Sequence, residues 1–134
     1  MNQFSFEDST MRLMERFLDL SVQRQSLVSS NVANVDTPAY KTVDINFEQE
    51  LLEAAEGHGI SILATDPHHL GSRQGHESAS PGEVEGLTLR NDLNNVNIDR
   101  EMAQLSTNAL KFSMVAQLIA GKFRTLKNAI NEGR

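Results

Sequence analysis

The sequence predicts a mainly α-helical protein, with long N- and C-terminal helices forming a coiled-coil-like pair around a short β-like or irregular middle segment and a mobile loop. Three observations support this. Apolar residues recur at spacings of three and four at both ends of the 134-residue chain. A few Val, Ile and Phe alternate with polar residues after the first helical stretch. Gly, Pro and His gather in the middle: residues 57–90 hold six of the eight Gly and all four His. That is loop chemistry, too poor in apolar groups to order itself by burial.

The first element, residues 1–35, is a helix from about residue 9 to residue 33. Leu13, Phe17, Leu20 and Leu27 make one seam, interrupted by Arg24, and Met11, Met14, Leu18, Val28 and Val32 make an adjacent one. Such stripes are packing surface rather than cofactor contacts. Asp8 or Ser9 is the expected N-cap.

The second element, residues 36–56, opens on a stop. Pro38 holds Thr37 extended and ends the helix before it. Asn34 can cap the helix end, and Asp36 or Thr37 can bond its own backbone as the chain turns. Val43, Ile45 and Phe47 then alternate at period two, an extended strip, followed by a short helix. The third element, residues 57–92, is the Gly/His/Ser-rich insert.

The fourth element, residues 93–134, gives the strongest physical signal. Ile98, Met102, Leu105, Ala109, Phe112, Ala116, Ile119, Phe123, Leu126 and Ile130 follow one another at spacings of four and three without a break. This is a coiled-coil seam on a helix roughly 50 Å long. Asn97 is the expected N-cap, with Asp99 and Glu101 in the first turn favoured by the helix dipole. Leu110, Met114, Val115 and Leu118 lie off the seam and widen the apolar arc. A helix apolar on more than one side needs several neighbours, and in so small a chain those neighbours are other subunits. The four elements together make one core domain.

Charge is unevenly spread. The net −6 is the balance of a near-neutral start, an acidic middle and a basic C-terminal segment. The basic residues of that last segment have no aromatic interleaving, so they read as solvated or partner-facing surface and not as a nucleic-acid site. There is no Cys, hence no disulfide, thiolate nucleophile or Cys-ligated metal. His58, His68, His69 and His76 fit no metal-ligand spacing, and no nucleophile elbow or nucleotide loop is present. No residue is assigned a catalytic, cofactor-binding or metal role. No run is long and apolar enough to span a membrane, and the start of the chain has neither the basic nor the apolar region of a classical signal peptide.

The string Ser29-Ser30-Asn31-Val32-Ala33-Asn34-Val35-Asp36-Thr37-Pro38-Ala39-Tyr40-Lys41 closely resembles the S-x-N-[IV]-A-N-x-x-T-P-G-Y-K signature of the flagellar rod and hook family. Asn31, Asn34, Thr37, Pro38, Tyr40 and Lys41 are its matching positions. Asp44-Ile45-Asn46-Phe47 with Glu50-Leu51, Thr65-Asp66-Pro67-His68-His69-Leu70, and Asn94-Asn95-Val96-Asn97-Ile98-Asp99-Arg100-Glu101 resemble the proximal-rod branch of that family. The likeness covers nearly the whole chain. It departs at Ala39, which stands at the signature Gly, at Leu93, where the branch often has Gly, and at Asn97, where it often has Asp. Because Ala resists positive φ, the reading requires no left-handed residue at position 39.

The resemblance implies a structural subunit of the rod that crosses the periplasm in the flagellar basal body, exported without a cleavable signal. It further implies a homo- and hetero-oligomer in a helical tube, touching other rod subunits and the protein at the junction of the MS ring and the export gate. The terminal helices order on assembly. The expected assembly interface is Leu13, Phe17, Leu20 and Leu27, with Ile98, Met102, Leu105, Phe112, Met114, Ile119, Phe123, Leu126 and Ile130. The competing reading is a cytosolic coiled-coil adaptor or chaperone-like protein, which leaves the 34–41 signature unexplained.

Overall fold

The computed structural model describes residues 3–56 and 79–132. His58, His68, His69, His76 and the 65–70 element lie outside the described residues. Two long helices, α1 (Gln3–Ala33) and α3 (Ile98–Glu132), pack along each other, and a short helix, α2 (Phe47–Glu56), lies against α1. Two-residue strands β1 (Val43–Asp44) and β2 (Gly82–Glu83) pair antiparallel, Val43 opposite Glu83 and Asp44 opposite Gly82.

Helix α1 begins at Gln3, so neither Asp8 nor Ser9 caps it, and the apolar stripes start a turn or more inside the helix. It ends where expected. The Ser30 carbonyl accepts both the Asn34 amide at 3.1 Å and the Asn34 side chain at 2.8 Å, which closes the last turn. The extended strip is shorter than its period-two pattern. Pairing stops at Asp44, and Phe47 is the first residue of α2. Asn46 causes this, because its Oδ1 accepts the Gln49 amide at 3.3 Å, an N-cap, with Glu48 and Glu50 in the first turn. Asn97 caps α3 in the same way, accepting the Arg100 amide at 3.1 Å.

The apolar core is small. Leu20, Ile45 and Ala79 are buried together, with Leu27, Phe47 and Leu51 packed against them. Phe17 meets Phe47 edge-on, ring centroids 4.9 Å apart at 77°. Among the described residues, buried polar and charged side chains outnumber buried apolar ones, eight to five. Hydrogen bonding therefore carries much of the specificity of this fold, since each buried polar group must find a partner.

Arg24, the break in the first seam, is the clearest case. Its Nε donates to Asp44 Oδ1 and its Nη2 to the Ile45 carbonyl, both at 2.9 Å, while the guanidinium lies 4.9 Å from the Phe47 ring centroid. Gln104 of α3 donates to the other Asp44 oxygen at 2.7 Å. One carboxylate thus ties α1, β1 and α3 together. Arg16 reaches Glu50 at 2.6 Å and fixes α2 on α1.

Candidate assembly interface

Two regions stand out: a polar junction where the 34–41 turn meets the start of α3, and the outer face of α3.

The junction is built on asparagines. Asn31, 1% exposed, uses its whole amide. Its Nδ2 donates to the Val43 carbonyl and to Glu101 Oε2, each at 2.9 Å, and its Oδ1 accepts the Val43 amide at 3.1 Å and the Tyr40 hydroxyl at 3.2 Å. A side chain on the last turn of α1 thereby pairs with Val43 as a neighbouring strand would, on the edge that β2 leaves open. Asn94, with no exposure, donates to the carbonyls of Asn34, Val35 and Thr37 at 2.8–3.1 Å and accepts the Val96 amide at 2.7 Å. Asn95 Oδ1 accepts the Thr42 amide at 2.7 Å. Lys41 Nζ donates to the Leu93 carbonyl at 2.7 Å. The two distant motifs are therefore one hydrogen-bonded unit.

Backbone conformation at Ala39 differs from the sequence expectation, and Leu93, the other departure from glycine, shares it. Ala39 has φ 60° and Leu93 has φ 64°. Thr37 accepts the Tyr40 amide at 3.3 Å, so residues 37–40 form a turn with Pro at its second position and a left-handed residue at its third, the type II pattern. Arg90 donates its amide to the Asn94 carbonyl at 2.8 Å and accepts the Leu93 amide at 2.9 Å. This is a three-residue hairpin loop with its last residue left-handed. The turns are bonded to each other, Ala39 amide to Asp92 carbonyl at 2.9 Å. The surrounding bonds hold both residues in a conformation costing an L-residue about 1–2 kcal/mol.

Ala39→Gly is accordingly expected to raise stability by about 0.5–1 kcal/mol, the relieved strain less the entropy Gly adds to the unfolded chain. Leu93→Gly is expected to act in the same direction, since the Leu93 side chain is 57% exposed. Urea midpoints measure both. A lower midpoint for Ala39→Gly would contradict the strain.

The residues expected at the assembly interface divide sharply. Leu20 is buried, and Leu13, Phe17 and Leu27 are half-buried within the chain. Leu105 and Ile119 are half-buried too. Ile98, Met102, Phe112, Met114, Phe123, Leu126 and Ile130 are exposed, as are Leu110 and Leu118. The fully buried residues of α3 are polar, Glu101 and Asn108, with half-buried Leu105, Val115 and Ile119 on the same side of the helix. Asn108 donates to the Ser21 carbonyl at 2.8 Å and to Gln25 Oε1 at 3.2 Å. Glu101, Gln104 and Asn108 lie on one stripe at spacings of three and four. Reading apolar periodicity alone passes over them. The signal available was that their amides and carboxylate recur at that same spacing.

Among the described residues no three His, Asp or Glu side chains converge as a metal site would require, and no helix is long and apolar enough to cross a membrane.

Comparison with known proteins points one way. A family described as "Flagella basal body rod protein" matches residues 21–41, the stretch that carries Asn31, Asn34 and the 37–40 turn. The flagellar basal body rod protein FlgB of Borrelia hermsii is 32% identical, the alignment covering 92% of this chain and 96% of that one. FlgB of Salmonella typhimurium is 29% identical over 94% of this chain and 96% of its own. FlgB of Bacillus subtilis is 28% identical over 97% and 99%.

Proposed function

From the premise that this chain belongs to the FlgB family of flagellar basal body rod proteins, and is a structural subunit rather than an enzyme, we propose that it is built into the proximal rod through its terminal helices. There it packs with copies of itself and with other rod subunits into a helical tube that crosses the periplasm, one end meeting the protein at the MS-ring and export-gate junction. The observation carrying this reading is the apolar face of α3. Phe123, Leu126 and Ile130 are 57%, 52% and 73% exposed on the isolated chain. Apolar side chains recurring along several helical turns in water are unfavourable unless another molecule covers them. In a heterologous interface the covering surface differs from the covered one, so the contact repeats without closing.

Deletion of the gene is expected to give non-motile cells without rods, and an epitope-tagged copy is expected to purify with basal bodies. A cytosolic adaptor would remain in the soluble fraction. Flagella of normal number in a verified deletion strain would refute the reading.

A further inference from the structure

A groove of about 390 Å³ runs between α1 and α3, lined by Arg24, Arg100, Ala103, Gln104, Asn108 and Lys111 among others. Three cations and two side-chain amides line it and no carboxylate does, in a chain of net charge −6. Arg24 is committed to Asp44 and the Ile45 carbonyl. Arg100 is not committed. Its Nη1 is shut off from solvent and has no hydrogen-bond acceptor. On its other side lies a smaller cavity lined by Asp44 and Glu83, but Asp44 is already held by Arg24 and Gln104, and neither acid bonds Arg100. The rest of the Arg100 guanidinium faces the groove with no acidic partner among the described residues. Lys111, at the far rim, has no partner among the described residues.

The same chain presents the complementary surface. The outer face of α2 exposes Glu48, Leu52, Glu53 and Glu56. Arg100 and Lys111 are about 16 Å apart along α3. We propose that the Arg24/Arg100/Lys111 groove receives the carboxylates on the outer face of α2 from a second copy of this chain. The groove and the acidic face are different surfaces of one molecule, so each copy offers one and fills the other, and the contact propagates. Arg100 supplies the specific element, since its side chain is half-buried in the groove wall and the reachable part of its planar fork suits a carboxylate. The inference rests on the reading of the chain as a rod subunit.

The absence of Cys makes a direct test clean. Leu52→Cys and Ala103→Cys, combined in one chain, place a thiol at the centre of each surface and leave every charge in place. Oxidation of purified basal bodies carrying this variant is expected to give a ladder of multimers in steps of one chain, absent from either single-cysteine variant. Adding Arg100→Gln and Lys111→Gln is expected to weaken the ladder at least fivefold. Incorporated protein that stays monomeric on oxidation, or cross-links only to other rod proteins, would overturn the proposal and leave the rod reading intact. Failure to find unsubstituted protein in basal bodies would overturn both. A ladder indifferent to the charge substitutions would refute the role given to Arg100.

Discussion

Asn31→Ala is expected to destabilise the fold by about 3–4 kcal/mol, the largest loss from any single amide in the chain. The substitution removes two donors and two accepting contacts at once. It leaves the Val43 amide and carbonyl and the Glu101 carboxylate without their partner in a region shut off from water. Each buried polar group so stranded costs about 1–3 kcal/mol, partly relieved where water can enter the space left by the amide. Glu101 has no slack to absorb the change, because its other oxygen is already without a hydrogen bond. Small domains hold only about 5–15 kcal/mol in total. With a urea slope of about 1.5–2 kcal/mol per molar, the midpoint is expected to fall by about 2 M. Asn31→Asp makes a sharper comparison. It preserves shape and the accepting oxygen but removes both donors and sets a second carboxylate against Glu101. Loss at least as great as that of alanine is expected. A midpoint within about 0.3 M of the parent for both variants would mean that the junction is dispensable.

This junction also marks how far the sequence was legible. The two long helices follow from apolar periodicity, and the stop at 34–38 follows from Asn and Pro chemistry, because both are local. Asn34 and Asn97 cap helices for the same local reason, whereas the cap at Asn46 was hidden by the period-two pattern of Val43, Ile45 and Phe47. What Asn31 does depends on Val43, Tyr40 and Glu101, the last seventy residues away, and no window along the chain contains that information. The left-handed residues failed to register for a different reason. Intrinsic preference argues against Ala and Leu at positive φ, yet the hydrogen bonds between the 37–40 turn and the 90–94 hairpin outweigh it. Periodicity located the apolar stripe of α3 without saying what covers it. The residues of α3 that are fully buried within the chain are polar, Glu101 and Asn108, made buriable by partners on α1, and Gln104 beside them bonds Asp44 of β1.

Leu126→Asp is expected to abolish incorporation into basal bodies, reducing it at least a hundredfold, while export and the fold of the free chain survive. Most point changes that prevent assembly do so by preventing folding, and this position separates the two. Leu126 is half exposed on the isolated chain, so an aspartate there keeps its water and costs the monomer little. Once a neighbouring helix covers the face, the same carboxylate is buried without a counterion, at several kcal/mol for every subunit interface. A penalty of about 3 kcal/mol already corresponds to more than a hundredfold in the equilibrium for adding a subunit. Phe123→Asp, three residues away on the same face and 57% exposed, is expected to behave alike. Asn128, roughly on the opposite side of the helix from Leu126 and also exposed, supplies the control: Asn128→Asp adds an equal charge and is expected to keep incorporation within a few-fold of the parent. The readouts are the amount of each variant in purified basal bodies, its amount exported, and the helical circular dichroism of the purified chain. If Leu126→Asp and Phe123→Asp enter basal bodies as well as Asn128→Asp does, the apolar face of α3 is not an assembly surface, and the contact between subunits must run through another part of the chain.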